Sequence, residues 1–419
     1  MDVFDSKYFL YQNNQLYCEK IPVKEILEEV GTPAYIYSKK FFIDTYKEFD
    51  SSLINFSHKI FYAVKANFNL SVIKTFSDLG SGFDVNSEGE LYRVMKLGID
   101  SSKIIFSGVG KTANEIKIAL ENDLLLIKAE SQEELITIDS IAKNLNKKAK
   151  VAIRVNPDVD PKTHPYISTG LAENKFGIDM AEAKEIFLNS GIYKNIEFTG
   201  LDMHIGSQII TVDPFVSAVE KVSDLFQKLK LEGIHLKHLD LGGGIGVVYN
   251  HEKIFSADEY VGAISPYIRN LDCEIFIEPG RYFTANGGIL AGKVLYSKKN
   301  HDKNFIIVDA AMNDLLRPSI YGSYHQILPV EMKLNREKIL ADIVGPVCES
   351  GDFLAKNRAI IKPEQGEYLA VMSSGSYGMT MASNYNARRR PPEILVDGDS
   401  FRIVRNRETF EHLLYDEIF

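Results

Sequence analysis

The chain has 419 residues, and its 48 lysines and arginines against 57 aspartates and glutamates give a formal net charge of −9. This acidic balance argues against a nucleic-acid-binding protein, because a phosphate backbone calls for a basic surface and no long Lys/Arg run offsets the total. Hydrophobic residues at 45% and charged residues at 25% are ordinary globular values, which excludes the disordered and fibrous classes. The length exceeds the roughly 250–300 residues at which one core stops growing, so we expect two domains.

The cysteine content indicates the compartment. Cys18, Cys273 and Cys348 are odd in number and far apart, so they build neither a disulfide framework nor a zinc site, and they suit a reducing environment. Nowhere do roughly 18 apolar residues run together, as a membrane span would require. We expect a cytoplasmic protein with no bound metal and no membrane partner.

Short strand-like runs alternate with longer amphipathic stretches between residues 60 and 280. Eight runs are predicted as strands, and they begin at Ile60, Gly82, Ile104, Leu125, Val151, Gly200, His238 and Glu274. Each interval has room for a helix and two turns, as in repeated βα units. Ser87 with Glu90 resembles a capping box, and Thr211-Val-Asp-Pro opens another helix. The pattern predicts a closed (β/α)8 barrel, with an open doubly wound sheet as the alternative.

After Asn286 the sequence changes to closely spaced strand-like segments with Gly or Asn/Asp between them, which predicts an all-β second domain. The first 30 residues hold short strand candidates that we expect to pair with this C-terminal sheet. The expected fold class is therefore α/β. It comprises N-terminal strands at 1–30 that join the β domain, a cofactor-binding (β/α)8 barrel at 31–285 and a C-terminal β domain at 286–419.

The residues that end the eight predicted strands are polar almost throughout, and in a (β/α)8 barrel these ends form the active site. They are Lys65, Asp84, Ser87, Ser107, Glu130, Arg154, Asn156, His204, Ser207, Gly242, Gly243, Gly244, Glu278 and Arg281. A lysine, a histidine, a glycine triplet and a Glu-Pro-Gly-Arg segment on one rim indicate a functional site.

Two of these features point to a cofactor. Lys65 ends an apolar run. A lysine in that position more often forms an ion pair or extends its amine to solvent than acts in catalysis. Buried lysines also form Schiff bases, however. The glycine triplet follows the seventh predicted strand and Glu278 to Arg281 follow the eighth, where barrels commonly bind phosphate. Dinucleotide and nucleoside-triphosphate fingerprints do not occur.

A lysine that can form an imine, opposite a phosphate-binding rim, suggests pyridoxal 5'-phosphate. Glu278 is the candidate carboxylate for the pyridine nitrogen, and a salt bridge to Arg281 is its alternative role. His204 is a candidate to pack on the ring, although a histidine at a strand end is as often a core residue.

Six separated motifs occur in order and together closely resemble the diaminopimelate decarboxylases, pyridoxal-phosphate-dependent enzymes of the alanine-racemase fold. The motifs are Tyr62-Ala-Val-Lys65-Ala-Asn67, His204-Ile-Gly-Ser207-Gln208, Gly242-Gly243-Gly244, Glu278-Pro279-Gly280-Arg281, Cys348-Glu349-Ser-Gly-Asp352 and Ser376-Tyr377-Gly378. The similarity runs from Thr32 to Glu393 and includes the segments 164–170 and 312–321.

The resemblance implies a role for each matching residue. Lys65 would hold the cofactor as an internal aldimine, His204 would stack on its ring, and Cys348 would protonate the carbanion after carbon dioxide leaves. The implied cofactor contacts also include Ser207, Gly242, Gly243, Gly244, Glu278, Pro279, Gly280, Arg281 and Tyr377. The implied substrate contacts are Arg281, Arg317 and Tyr321 for the distal carboxylate, Glu349 for the distal ammonium, and Tyr377.

The implied reaction converts meso-2,6-diaminopimelate to L-lysine and carbon dioxide, the last step of lysine biosynthesis. Active sites would form at a homodimer interface, with Cys348 and Glu349 reaching in from the partner chain. One residue departs from the pattern: two positions before His204 stands Asp202, where many members carry His. We expect a local change in hydrogen bonding there.

Three rival functions remain. Decarboxylases of the same fold act on ornithine, arginine or carboxynorspermidine; the first two need no anchor for a distal carboxylate, so Arg317 and Tyr321 weigh against them, and the third is generally shorter. An amino-acid racemase would need a second base facing Lys65 and typically an arginine at the pyridine nitrogen, where this chain has Glu278. A non-enzymatic cofactor carrier would leave the β domain unexplained.

Overall fold

The computed structural model describes residues 6–161, 163–164, 169–171 and 173–418, so 165–168 of the segment 164–170 lie outside the described residues. The chain divides into two compact units. We call 45–247 with 253–282 the barrel unit, and 1–44 with 248–252 and 283–419 the sheet unit. Within the described ranges, no helix has the length and apolar character that a membrane crossing requires.

The sheet unit begins with a small antiparallel sheet. Its elements are β1 (Phe9–Gln12), β2 (Gln15–Cys18) and β3 (Ile21–Pro22), followed by α1 (Val23–Val30), β4 (Ala34–Ser38) and α2 (Lys39–Ser52). Strands β1 to β3 form their own sheet, whereas the sequence led us to expect them in the C-terminal sheet. An isolated bridge between Gln15 and Glu331 links the two regions.

The barrel unit contains eight parallel strands in a closed ring. They are β5 (His58–Ala63), β6 (Gly82–Val85), β7 (Ile104–Phe106), β8 (Leu126–Ala129), β9 (Ala149–Asn156), β11 (Ile196–Met203), β12 (His238–Asp240) and β13 (Glu274–Ile277), with the short β10 (Ile178–Asp179) beside β9. Pairing of β13 with β5 and of β8 with β9 closes the ring. The predicted (β/α)8 barrel is confirmed, and the open sheet is wrong.

Helices fill the intervals between the barrel strands. They are α3 (Leu70–Asp78), α4 (Glu88–Lys96), α5 (Ala113–Glu121), α6 (Gln132–Asn144), α7 (Met180–Leu188), α8 (Asp213–Leu231) and α9 (Ala257–Ile268). Ser87 caps α4 as predicted, because its side chain accepts from the Glu90 N–H. The capping box is not reciprocal, since the Glu90 carboxylate accepts from the Asn86 N–H instead. Pro214 stands in the first turn of α8, where its missing N–H costs nothing.

Side chains fill the barrel interior. One buried cluster takes residues from five strands, namely Phe61, Ile105, Leu126, Ala152 and Phe276. The Phe61 and Phe276 rings are 4.8 Å apart between centroids, within the range of favourable aromatic pairs. The barrel is thus a packed core that fixes the strand ends, and any site must lie at its mouth.

The rest of the sheet unit is rich in strands. Its elements are α10 (Arg281–Thr284), which begins in the barrel unit, β14 (Gly288–Asn300), β15 (Lys303–Val308), α11 (Arg317–Tyr321), β16 (Ile327–Pro329), β17 (Lys338–Val344), β18 (Phe353–Ile361), β19 (Tyr368–Val371), β20 (Glu393–Asp397), β21 (Ser400–Arg405) and α12 (Phe410–Leu414). The main sheet has the order β18-β17-β15-β14-β4-β20-β21. The predicted β domain is therefore present.

Strand β4 lies in this sheet, although the sequence placed it in the barrel domain starting at residue 31. It pairs antiparallel with β14 and parallel with β20. All five of its residues are buried, and its tyrosine hydroxyls are satisfied there: Tyr35 donates to the Asp314 carbonyl and Tyr37 to the Glu393 carboxylate. A fully buried strand needs neighbours on both edges, which the sheet supplies.

The barrel core gives a stability prediction. Phe276→Ala should lower the free energy of unfolding by about 3–5 kcal/mol, because it leaves a cavity beside Phe61. Urea denaturation followed by circular dichroism measures this. Ile54→Ala is the control, since Ile54 is 77% exposed and should change stability by less than about 0.5 kcal/mol. Equal effects of the two substitutions would contradict the packing described here.

Candidate active site

Lys65 lies directly after the first barrel strand, in a short 3₁₀-helix, Val64–Ala66. Its Nζ is 3.6 Å from Oδ2 of Asp84, and its side chain keeps 38% exposure. Oδ1 of Asp84 is buried without a hydrogen-bond partner among the residues the structure describes. Lys65 is thus held near a carboxylate while its amine stays accessible to a reagent such as an aldehyde.

A second lysine, which the sequence interpretation missed, lies deeper in the barrel. Lys128 on β8 is 1% exposed, and its Nζ lies 2.7 Å from Asp202 Oδ1 and 2.6 Å from Asp240 Oδ2. It also contacts Oε1 of Glu278. The sequence signal that could have identified Lys128 as a candidate is its place in the apolar run Leu-Ile-Lys-Ala. Lys65 drew attention for the same reason.

Burial and charge shift the pKa values in this group. Burial raises the pKa of Glu278 well above its usual value, and the nearby Asp240 and Asp84 raise it further. Burial also raises the pKa of Asp202 to about 6, against the opposing pull of Lys128. For Lys128 burial lowers the pKa, but attraction to the carboxylates outweighs it and the pKa lies well above its ordinary value. Lys128 is therefore charged, and it is a cation that opposes protonation of Glu278 and Asp202.

Glu278 and Arg281 bond to different partners. Arg281 donates from Nε and Nη2 to the Ser207 hydroxyl at 3.2 and 2.9 Å, while the Glu278 carboxylate contacts Lys128. These contacts join the loops after the sixth and eighth barrel strands, as expected for residues that share one rim.

His204 is held as a neutral ring with a defined tautomer. Its Nδ1 accepts a hydrogen bond from the Gly243 N–H at 3.1 Å, so the ring proton lies on Nε2. Desolvation, and then the charges of Lys65 and Arg154, hold the pKa of His204 well below its usual value. A neutral imidazole can pack on an aromatic ring without adding charge.

The glycines allow the loops after the seventh and eighth strands to pack backbone against backbone. A Cβ on Gly243 would lie 2.2 Å from the Glu278 carbonyl oxygen, and one on Gly244 would lie 2.4 Å from the Gly206 oxygen. The Glu278 N–H also donates to the Gly242 carbonyl at 2.8 Å. Only glycine fits these close contacts.

The Glu278–Arg281 segment also supports Lys65. The Pro279 carbonyl accepts from the Ala63 N–H at 3.2 Å, and a Cβ on Gly280 would lie 3.0 Å from that of Ala66. The segment therefore packs against both sides of the Lys65 turn.

Arg317, Tyr321, Cys348, Glu349 and Tyr377 lie in the sheet unit. Arg317 begins α11 and is 4% exposed. Its Nη1 donates to the Tyr249 hydroxyl at 2.6 Å and its Nη2 to the Ser323 hydroxyl at 3.3 Å. Tyr249, which the sequence interpretation did not single out, thus orients the guanidinium.

The Cys348-Glu349 turn is fixed by the aspartate that ends its motif. The Asp352 carboxylate accepts from the N–H groups of Met312 and Val347, both at 2.7 Å. Ser319 of α11 donates to the Gly351 carbonyl at 2.6 Å. The turn and the helix of Arg317 and Tyr321 are therefore neighbours, while Cys348 and Glu349 themselves are exposed.

Tyr377 lies in a loop that packs closely on the end of α10. The loop adopts a left-handed backbone at Tyr377, with φ of 54°. The Ser376 and Thr284 hydroxyls are 2.5 Å apart, and a Cβ on Gly375 would lie 1.9 Å from the Thr284 carbonyl oxygen. These contacts hold the Tyr377 loop in one conformation.

The barrel mouth thus offers an amine, a buried carboxylate, a neutral imidazole and a glycine-lined backbone. This donor set fits pyridoxal 5'-phosphate: the amine suits its aldehyde, the carboxylate its ring nitrogen and the glycines its phosphate. Fold and site together define a pyridoxal-phosphate-dependent enzyme built on a (β/α)8 barrel with a β domain.

The chain is similar to known proteins in sequence and in structure. A family model described as "Pyridoxal-dependent decarboxylase, pyridoxal binding domain" matches residues 40–285. A diaminopimelate decarboxylase of Haemophilus influenzae is 46% identical over 407 residues, 97% of this chain and 98% of the relative. A solved diaminopimelate decarboxylase from Helicobacter pylori, complexed with L-lysine, gives a TM-score of 0.90 at 41% identity over 94% of this chain and 98% of its own. The chain belongs to the pyridoxal-dependent decarboxylases and, among them, to the diaminopimelate decarboxylase family.

The glycine contacts lead to a binding prediction. Gly243→Ala should weaken pyridoxal 5'-phosphate binding at least roughly tenfold, about 1.4 kcal/mol, because its Cβ pushes the two loops apart. Titration of the apoprotein followed by fluorescence measures the affinity. Gly262→Ala is the matched control, since a Cβ there meets nothing within 4 Å. If both variants bind alike, the close loop contact has no role in holding the cofactor.

Proposed function

We propose that the chain decarboxylates meso-2,6-diaminopimelate to L-lysine and carbon dioxide, the last step of lysine biosynthesis. The observation that carries the proposal is the extent of the similarity: a diaminopimelate decarboxylase matches 97% of the chain, so it covers Arg317 and the Cys348-Glu349 turn as well as the barrel. The rivals acting on ornithine or arginine have no use for a second carboxylate site.

Mainly barrel residues would hold the cofactor. Lys65 would be the covalent attachment point, Glu278 would bind the ring nitrogen and His204 would pack on the ring. The phosphate contacts would be Ser207, Gly242, Gly243, Gly244, Pro279, Gly280, Arg281 and Tyr377. When bound, the cofactor supplies a conjugated ring that takes up the electrons left by the departing carboxylate.

Two chain residues control charge at that ring. The Glu278 carboxylate would hold a proton on the ring nitrogen, and aligned charge of this kind is commonly worth about 3–4 kcal/mol. His204, a neutral imidazole, would exclude water from the ring. Together they favour the transition state over the bound substrate.

The sheet-unit residues recognise the distal end of the substrate. Arg317 offers a planar fork that matches a carboxylate in two bonds. Tyr321, and Arg281 of the barrel unit, are the other residues that the resemblance assigns to this carboxylate. Glu349 pairs with the distal ammonium, and Cys348 gives a proton to the α-carbon after decarboxylation.

We infer a homodimer in which Cys348 and Glu349 of one chain complete the site of the other. Both side chains are exposed in the single chain, as groups offered to a second copy would be. The cytoplasmic location expected from the dispersed cysteines stays a prediction.

A substrate panel tests the proposed function. The purified protein should bind pyridoxal 5'-phosphate, and borohydride followed by peptide mass analysis should find the cofactor on Lys65. Carbon dioxide release from meso-diaminopimelate should exceed that from ornithine and arginine by at least roughly a hundredfold, about 2.7 kcal/mol. Lys65→Ala is the inactive control. Equal rates on ornithine would overturn the substrate assignment, and an unlabelled Lys65 would overturn the cofactor assignment.

Arg317 gives a separate specificity prediction. Arg317→Lys keeps the charge but loses the fork, so kcat/KM for meso-diaminopimelate should fall roughly ten- to hundredfold, mainly through KM. Arg336→Lys is the matched control, because Arg336 makes only partly exposed ion pairs to Glu364 and Glu367 among the contacts described. Steady-state kinetics decide: a fall in kcat at constant KM would contradict a binding role.

A further inference from the structure

Lys128 lies at the centre of a buried ion cluster, yet none of the roles above uses it. Its ammonium contacts Asp202, Asp240 and Glu278, and the four side chains are at most 6% exposed. The carboxylate oxygens of the three acids lie within 4.8 Å of one another. Three acids so close together in a dry interior need a cation, and Lys128 supplies it.

We propose that Lys128 is a positioning residue that fixes the orientation and the negative charge of Glu278. The proposal rests on the proposed function, in which Glu278 binds the ring nitrogen of the cofactor. Lys128 contacts Oε1 of Glu278, which leaves Oε2 for a second donor such as a protonated ring nitrogen. Lys128 itself touches neither substrate nor cofactor and acts through Glu278.

The same lysine connects Glu278 to the glycine triplet. Asp240 uses Oδ2 for Lys128 and Oδ1 to accept from the Gly242 N–H at 2.9 Å. The Gly242 carbonyl in turn accepts from the Glu278 N–H at 2.8 Å. Glu278 is thus held through its side chain and its backbone by one network that has Lys128 at its centre.

The charges around Glu278 explain why the cation matters. The charged groups that face its carboxyl group are Asp84, Lys128, Asp202 and Asp240, of which only Lys128 opposes protonation. Without Lys128 the nearby acids would be unopposed, so Glu278 would hold its proton more firmly and shift toward the neutral acid. A neutral acid donates its hydrogen to the ring nitrogen in a hydrogen bond, so the nitrogen would lose its own proton and the ring its power to accept electrons.

Asp202 is the acid that makes this cation necessary. It adds a third carboxylate to the cluster, beside those of Asp240 and Glu278. Its Oδ1 is 2.7 Å from Lys128 and its Oδ2 is 4.0 Å from Arg154 Nε. Lys128 and Asp202 therefore compensate each other, and loss of one should be partly corrected by loss of the other.

The test is the protonation state of the ring nitrogen in Lys128→Met, an uncharged substitution of similar length. The wild type and the variant are loaded with pyridoxal 5'-phosphate labelled with ¹⁵N in the ring, and the ¹⁵N chemical shift is measured from pH 6 to 9. We expect the signal of the variant to move toward the unprotonated position. Turnover on meso-diaminopimelate should fall at least roughly tenfold, with KM changed less than about threefold.

Two further variants separate this role from a merely structural one. Lys128→Met combined with Asp202→Asn should return the ¹⁵N signal toward that of the wild type and regain most of the lost turnover. Lys147→Met is the matched control: the Lys147 ammonium pairs with Asp123 at 2.9 Å and donates to the Leu120 carbonyl at 2.7 Å, outside the cluster, so its loss should leave the ring signal unchanged. A Lys128→Met signal equal to wild type, or no recovery in the double variant, overturns the proposal.

The single substitution Asp202→Asn covers the case in which Lys128→Met does not fold. With one acid fewer, Lys128 holds Glu278 ionised more strongly, and the ring nitrogen should keep its proton to a higher pH than in the wild type. A shift to lower pH contradicts the proposal. A wild-type protein that binds no cofactor would instead overturn the proposed function, so the two failures are distinguishable.

Discussion

The closed barrel holds charged side chains in a dry interior, and the candidate active site depends on how their charges are balanced. Because all eight strands end on one rim, the acids that follow or end them converge at the barrel mouth. Asp202, Asp240 and Glu278 meet there around Lys128, and Arg154 pairs with Glu130 at 3.0 Å. Desolvation raises the pKa of Glu278 and Lys128 opposes that rise, so the lysine favours the ionised carboxylate that a protonated pyridine nitrogen needs.

Charge and backbone geometry are parts of one arrangement at this rim. Gly242 receives a hydrogen bond from Glu278 and gives one to Asp240, while Gly243 both approaches Glu278 and fixes the His204 tautomer. The residues assigned to the ring and those assigned to the phosphate therefore share hydrogen bonds. A substitution at either end of this hydrogen-bond network should therefore change the hydrogen-bond geometry at the other end, because buried networks respond as units.

Much of the barrel could be predicted from sequence, because each strand is a short apolar run and each run ends in a polar residue. The roles assigned to Lys65, His204 and the glycine triplet came from position and resemblance, and they stay predictions. The role of Lys128 could not be found in this way, because its partners Asp202 and Glu278 are 74 and 150 residues distant along the chain. Strand β4 was misplaced for the same reason: its local pattern fits a buried strand in either unit, and only its pairing with β14 and β20 decides.

In the Cys348-Glu349 turn, unlike the barrel cluster, the residues assigned to chemistry are exposed and the supporting residue is buried. Asp352 is buried and fixes the turn by accepting hydrogen bonds from two backbone N–H groups. The side chains of Cys348 and Glu349 are exposed. A turn that only connects strands would gain little stability from exposing these two side chains, because exposed side chains stabilise a fold little. Rigid presentation of exposed groups instead lowers the entropy cost of contact with another molecule. This arrangement supports the proposal that Cys348 and Glu349 act in the active site of a second chain.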